Sequence, residues 1–281
     1  MAVHAHPDDE SSQTGGTLAR YAAAGVRTVL ITCTDGGQGD GVGGVKPEAT
    51  GHNPGVVAAQ RSAELDRAAA ALGVSEVIKL GYPDSGMPRV SAGAISSVAG
   101  RTVFSRLALG PLVKQMVELM RLYRPAVLLT YPPDGMSGHP DHIRVHDIVA
   151  AAHRIIVAET PADHGTAPRM YYTALSRSRL EDAARMAREV YGDGAWVPPA
   201  ELAVDDSSIT TVVDVEAFWE HKLKALSAHA SQGDAAVLHK IFSVPARQAR
   251  RRVEEFVRAF PPPVPNAPTV IEHDLFGTDR R

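Results

Sequence analysis

The chain has 281 residues, 44% of them hydrophobic, and a mean hydropathy of −0.11, enough apolar material for a full core and too much for a disordered chain. Its 29 basic and 32 acidic residues leave a net charge of −3, which gives no support for a nucleic-acid or anionic-membrane partner. A single cysteine excludes an intrachain disulfide framework, and no apolar run approaches the ~20 residues that span a bilayer. No signal-peptide pattern precedes the first motif, so a cytoplasmic protein is expected. Frequent Ala and Arg against few Lys suggest a GC-rich genome. Length alone admits one large domain or two small ones.

In chain order, short β-type runs alternate with helical patterns, as in an α/β parallel sheet. "MAVHA" opens the chain, a helical stretch covers 12–24, and "TVLITCT" (28–34) follows, with Cys33 expected as a buried structural thiol. A helix over 56–72 precedes "EVIKLG" (76–81), and a helix over 110–123, ending before Pro125, precedes "AVLLTY" (126–131). The stretch 82–108 is long, weakly patterned and Gly- and Ser-containing, which suggests a lid or binding loop. The second half is harder to parse. "RMYYTAL" (169–175) and "ITTVVDV" (209–215) read as strands, 215–230 and 246–259 as helices, and "PPPVPNAP" (261–268) as an extended linker. No internal repeat is visible.

Each strand of the first half runs into a polar loop: "HPDDE", "DGGQGDG", "YPDSGMP" and "PPDGMSGHPDH". In such sheets ligands bind beyond the carboxyl ends of the strands, so these loops should converge on one edge. His6 and Asp9 lie three apart where the chain leaves a strand and Pro7 restrains the turn, so an imidazole and a carboxylate can meet at one point. The second cluster, "GHPDHIRVH", supplies His139, Asp141, His142 and His146, with His142 available as a third ligand. Two histidines and one carboxylate, with a fourth position for water, is the pattern of a catalytic zinc site. Asp8 is free to activate that water while Asp9 binds the metal. One His-Pro-Asp is most often a capped turn; two of them at two strand ends point to a metal. The glycine-rich loop lacks the Gly-Lys-Ser/Thr ending of a P-loop, and no G-x-S-x-G elbow is present.

"AHPDDE" and, some 130 residues on, "GHPDH" resemble the zinc-dependent de-N-acetylases of the PIG-L/LmbE-like family, which includes the mycothiol-pathway deacetylases and the mycothiol S-conjugate amidases. The resemblance covers residues 1–155 well, including "VHAHPDDESS", "ALGV", "DSGMP" and "HPDHIRVH", and returns weakly at "KLKALSAHASQ". It implies a Rossmann-like, mostly parallel sheet flanked by helices, with loop-rich C-terminal additions, in one domain over 1–281. Residues 1–160 would form its catalytic part, and 161–281 would complete the pocket. It implies His6, Asp9 and His142 as ligands of one zinc ion, with iron as the alternative metal. Asp8 would be the general base, His139 would stabilise the oxyanion and protonate the leaving amine, and Asp141 would orient His139. Arg61, in "QRSAEL", matches a position that contacts a sugar or inositol hydroxyl, and Asp84, in "DSGM", one that grips the glucosamine ring.

Three departures bear on the substrate. Ser137 stands where mycothiol-pathway relatives carry Tyr, Asp40 where they carry Glu, and Gln13 where conjugate amidases tend to carry Lys. Asp40 and Ser137 are expected to contact substrate. His229, in the amphipathic "HKLKALSAH" segment, is a further residue that could reach the site. The resulting expectation is hydrolysis of an amide, de-N-acetylation of an N-acetylated amino sugar or glycoside. Its competitors are a conjugate amidase with a bulky acyl group and a metal- or sugar-binding protein without turnover. The expected partner is a small N-acylated sugar, and homo-oligomerisation stays open.

Overall fold

Apolar residues that alternate between two faces build the sheet. In β1 (Ala2–His4) Ala2 joins one core cluster and Val3 the other; in β2 (Val29–Thr34) Leu30 joins the first, and Val29, Ile31 and Cys33 the second. That is the period-2 pattern of a strand buried on both faces. The computed structural model describes residues 1–87, 95–160, 167–244, 251–263 and 270–277. Beyond β3 (Glu76–Tyr82), a small hairpin of β4 (Ser97–Val98) and β5 (Arg101–Thr102) stands apart from the main sheet. With β6 (Val127–Thr130), β7 (Arg169–Ala174), β8 (Thr211–Asp214) and β9 (Val253–Phe260), the main sheet has seven strands in the order β3-β2-β1-β6-β7-β9-β8. All pairings from β3 to β7 are parallel, and β9 runs antiparallel to both its neighbours. Chain order therefore reverses direction between β1 and β6, the switch point at which an α/β sheet opens a crevice.

Helices cover both faces. The stretch 12–24 is split at Thr14 (φ −130°) into α1 (Asp9–Gln13) and α2 (Gly15–Ala23). Leu18 and Ala19 of α2 share a cluster with Leu65, Ala68 and Ala69 of α3 (Pro54–Ala71). The opposite face is covered by α4 (Leu109–Tyr123) and α5 (Pro140–Glu159) through Leu112, Met116, Val145 and Val149. The Asn53 side chain accepts hydrogen bonds from the Gly55 and Val56 N–H groups and Pro54 opens the first turn, so α3 begins where local chemistry favours it. Cys33 is buried in the second cluster, as a structural thiol.

The second half departs from expectation in three places. Where a helix was expected over 246–259, residues 253–260 form β9, and 245–250 lie outside the described residues. The period-2 signal of β9 is disguised because one of its core-facing positions is Glu254, buried beside the fully buried Phe256. Two helices not expected from the sequence, α6 (Arg177–Tyr191) and α8 (Gly233–Phe242), flank α7 (Trp219–Ala228) in chain order. The 82–108 stretch holds the β4–β5 hairpin and the fully buried Phe104, while 88–94 lie outside the described residues, as does most of the expected linker. Among the described residues no helix is long and apolar enough to cross a membrane.

Glu254 explains how the C-terminal strands are joined to the first half. It accepts hydrogen bonds from the Gly16 and Thr17 N–H groups (2.9 and 2.8 Å), two otherwise unpartnered donors at the start of α2. Lys222 of α7 donates to the same carboxylate (2.6 Å) and to the Ser12 carbonyl (2.7 Å). Gly16 is required here, because a Cβ on it would stand 2.6 Å from Val215. Removing one partner of a buried pair strands the other charge, at a cost of about 3–5 kcal/mol. Lys222→Met is expected to lower unfolding free energy by that amount in urea titration; a loss below about 1 kcal/mol would mean the pair does not hold the seam.

Candidate active site

The end of β1 is fixed before the first motif begins. The Thr34 hydroxyl donates to the Ala5 carbonyl (2.9 Å), and the Ala5 N–H donates to the Tyr131 hydroxyl (2.8 Å). The chain then turns so that the His6 N–H donates to Asp9 Oδ2 (2.9 Å). Tyr131, at the end of β6, donates to the same oxygen (2.7 Å) and stacks its ring on His142 at 4.2 Å. The switch point thus brings the first motif and the start of α5 face to face.

Three donor atoms meet there. His6 Nδ1, Asp9 Oδ2 and His142 Nε2 lie pairwise 3.4, 3.4 and 3.3 Å apart. Tetrahedral ligands about 2.0–2.1 Å from a zinc ion are separated by about 3.3–3.4 Å, so the three atoms already have the spacing of one face of such a site. The tautomers agree. His142 Nδ1 faces the Gly135 carbonyl (3.1 Å), which can only accept, so its proton lies there and Nε2 presents a lone pair. His6 Nε2 faces Asp141 Oδ2 (3.3 Å) and Asp84 Oδ1 (3.4 Å), which leaves Nδ1 for the metal. Carboxylates and carbonyls behind the imidazoles are how metal-ligating histidines are oriented. Burial opposes a charge on His6, yet Asp84, Asp141 and Asp9 hold its imidazole well above the usual histidine range, so the surroundings favour a cation. The donor set fits a divalent metal.

Asp8 sits between the ligands in an unusual conformation. Its φ of 119° lies in the left-handed region, costly for a residue other than glycine and typical of strain held at functional sites. Glu10 accepts the Asp8 N–H (2.9 Å) and is itself paired with His229 (2.7 Å), both side chains fully buried. Burial, only partly offset by Arg61, pushes the Asp8 carboxyl up to about 6. A carboxyl in that range suits a general base near neutral pH.

Several expectations for individual residues need correction. Asp141 does not orient His139 through its carboxylate. That group accepts from the Ser85 N–H (2.9 Å) and hydroxyl and backs His6, while His139 Nδ1 receives only the Asp141 backbone N–H (3.1 Å) as the cap of α5. With Nδ1 occupied as an acceptor, His139 is the neutral Nε2–H tautomer, and burial together with the His6 and His142 imidazoles pushes it down to about 2. Arg61 is not on a solvated face: it lines the cavity, with much of its guanidinium engaged by the protein. It is buried, and its guanidinium donates to the Gly36 carbonyl (2.9 Å), the Pro7 carbonyl and Asp8 Oδ2 (2.8 Å). Gly36, at φ +66°, comes so close that a Cβ there would stand 2.8 Å from that guanidinium, which explains part of the glycine-rich loop. Asp84 lines the cavity as well and accepts from the Gln38 and Gly86 N–H groups (3.2 and 2.8 Å) beside His6.

Asp40 and Ser137 do line the cavity that opens at the donor atoms; Asp40 also holds Lys46 (2.8 Å), and the exposed Ser137 lies 3.5 Å from His142 Nδ1. His146 faces the Tyr131 carbonyl (3.0 Å) instead of the donor cluster. His229 serves Glu10, and Gln13 donates to Asp9 Oδ1 (3.1 Å). The residues that sequence reasoning missed are thus supporting ones, Tyr131 and Glu10 above all. Tyr131 carried a usable signal, the last residue of a strand just ahead of the second motif.

Three convergent donor atoms with a carboxyl beside them, at the carboxyl edge of a parallel sheet, have the arrangement of a metal-dependent hydrolase. Residues 1–153 match the family described as PIG-L, GlcNAc-PI de-N-acetylase, and the chain belongs to that family. It is 36% identical to a 1D-myo-inositol 2-acetamido-2-deoxy-alpha-D-glucopyranoside deacetylase of Rhodococcus erythropolis, across 99% of this chain and 96% of that protein. A protein of the same name from Thermobifida fusca is 35% identical, across 99% and 98%. Among solved structures, N,N'-diacetylchitobiose deacetylase from Pyrococcus horikoshii superposes with a TM-score of 0.59 at 18% identity, covering 92% of this chain and 82% of that one. The 4-carboxy-2-hydroxymuconate hydratase of Pseudomonas putida has the same TM-score and identity, covering 95% and 98%, so the shared property is the fold.

Tyr131→Phe removes the donor to Asp9 and the acceptor of the Ala5 N–H together. Loss of such a supporting hydrogen bond typically weakens metal affinity ~10–100-fold. Competition with a chelator is expected to show a weakening of that size in this variant; unchanged affinity would remove Tyr131 from the ligand support.

Proposed function

We propose that the protein is a zinc-dependent de-N-acetylase that hydrolyses the acetamide of an N-acetylated amino sugar or its glycoside, releasing acetate and a free amine. The single observation that carries this reading is the His6–Asp9–His142 donor triangle with Asp8 beside it. The relatives at 35–36% identity, named as deacetylases of an inositol-linked acetamido sugar, support the substrate class. We read the enzyme as cytoplasmic, acting on a small N-acylated sugar.

His6, Asp9 and His142 would hold the metal, which would supply Lewis-acid chemistry to the amide carbonyl and the attacking water. Asp8 accepts the proton of the attacking water. Arg61 and Glu10 keep that carboxylate aimed by holding Asp8 Oδ2 and the Asp8 N–H. His139, through its Nε2–H, donates to the oxygen that gains charge as the tetrahedral adduct forms. Because His139 Nδ1 is committed to the Asp141 N–H, the proton delivered to the leaving nitrogen is the one Asp8 has taken up. Asp84 and Asp141 orient His6, and Asp40 and Ser137 remain the substrate contacts.

Two outcomes check these roles. Asp8→Asn is expected to retain one zinc per chain by metal analysis while acetate release falls ~10²–10⁴-fold; a metal-free variant would make Asp8 a ligand. Arg61→Ala is expected to lower kcat by similar factors for N-acetylglucosamine and for its glycosides. A loss confined to substrates with a large aglycone would return Arg61 to substrate recognition.

A further inference from the structure

The turn after α7 meets the site from behind. His229 closes α7, and its Nε2 lies 2.7 Å from Glu10 Oε1, with both side chains fully buried. Glu10 gives its other oxygen, Oε2, to the Asp8 N–H (2.9 Å), and neither residue is among those lining the cavity. His229 Nδ1 has no hydrogen-bond partner among the described residues, so the polar edge of the ring serves Glu10 alone. Two residues on, Ser231 donates its N–H (3.1 Å) and its hydroxyl (2.7 Å) to the carboxylate of Glu64. Glu64 is buried on α3, three positions after Arg61 and so on the same helix face. Arg61 in turn donates to Asp8 Oδ2 (2.8 Å). One turn thus braces both groups that hold Asp8, Glu10 at its backbone and Arg61 at its carboxylate. A buried acid–imidazole pair gives up hydration that an apolar pair of equal volume never had, so stability is a poor reason for placing one here.

We propose that His229 and Ser231 are positioning residues for the general base: the turn 229–231 sets the Asp8 backbone through Glu10 and the Asp8 carboxylate through Glu64 and Arg61. Contact with substrate is no part of this role, since Glu10 and His229 are closed off from the cavity. The role rests on the reading of Asp8 as the base, while the hold on the Asp8 N–H is observable without any turnover. What the brace maintains is the φ of 119° at Asp8, a conformation that persists only while surrounding contacts over-determine it. The brace acts on proton transfer and not on binding, so its loss falls on kcat and spares KM.

Two substitutions of His229 separate this role from packing. In His229→Gln the terminal amide stands near the position of Nε2 and can still donate to Glu10; in His229→Asn it stands near that of Nδ1 and cannot reach. With methyl N-acetylglucosaminide, His229→Asn is expected to retain zinc and lose about 10–100-fold in kcat with KM nearly unchanged, and His229→Gln to recover most of that loss. In an Asp8→Asn background the same His229→Asn change is expected to cost less than about twofold, because its effect passes through Asp8. Ser231→Ala, which deletes one hydroxyl, is expected to lower kcat by about fivefold and to lose that effect in the same background. A full further loss behind Asp8→Asn, or an effect confined to KM, would overturn the proposal. Amide hydrogen exchange on the zinc-loaded protein, followed by NMR, gives the readout without turnover. The Asp8 N–H is expected to exchange about tenfold faster in His229→Asn than in His229→Gln, while the Ile31 N–H in β2 keeps its protection. Equal exchange at Asp8 in the two variants overturns the proposal whatever the kinetics. If the unsubstituted protein releases no acetate, the deacetylase reading fails, and exchange at Asp8 decides the brace alone. If His229→Asn loses the Ile31 protection, Ser231→Ala takes its place, measured against the unsubstituted protein.

Discussion

The site depends on one hydroxyl at the switch point of the sheet. Tyr131 accepts the last N–H of the β1 segment, donates to Asp9, and lays its ring against His142. Two ligand-bearing segments more than 120 residues apart in sequence are thereby set by the same side chain. The parallel sheet makes this possible: β1 and β6 are neighbours whose following connections leave in opposite directions. A loop site without that anchor would have to fix imidazole and carboxylate by backbone alone, and positions good to a few tenths of an ångström need locked side chains behind them.

Around that anchor the structure gathers four carboxylates, those of Asp8, Asp9, Asp84 and Asp141, within reach of two imidazoles. Buried carboxylates repel one another, and such a cluster is tolerated where a cation is expected. Their individual fates differ with their partners. Burial would raise the Asp84 carboxyl, but His6 and Arg61 hold it well below the usual carboxylate range, whereas Asp8, with burial dominating, is pushed up to about 6. The carboxylate proposed to take a proton is thus the one whose surroundings favour a proton, and Asp84, beside His6, is the one held anionic. Glu10 and His229 pay none of the chemistry directly; they hold the strained Asp8 backbone from a fully buried pair.

How much of this was legible in the sequence follows from how local each feature is. His6, Asp9 and His142 were readable because each motif folds within a few residues of a strand end, where loop chemistry is set locally. The first strands were readable because they are buried on both faces and carry continuous apolar runs. The protein contacts of Arg61 and Asp84 were not legible, because a residue's position in a helix or turn does not reveal the distant carbonyls and N–H groups its polar atoms meet. The same blindness applied to β9, expected as part of a helix over 246–259: nothing local to Glu254 reveals the partners that Lys222 and the start of α2 supply. Asp141 shows the limit most directly, since His142 and His139 flank it in sequence and its carboxylate serves His6, 135 positions away.

The fold does not decide the chemistry, since a hydratase and a deacetylase superpose on this chain equally well. What remains is a division along the chain. The family match ends at residue 153, and it contains the whole donor triangle and Asp8. Part of the cavity's lining comes from residues beyond it, on α6, α8 and the loop after α6. Those later elements reach the reaction centre through β9, whose Glu254 ties them to α2, and through His229, whose partner Glu10 holds Asp8. A displacement of α7 would therefore be transmitted through His229 and Glu10 to the Asp8 backbone, and the C-terminal part can vary its lining freely only where it leaves that pair undisturbed.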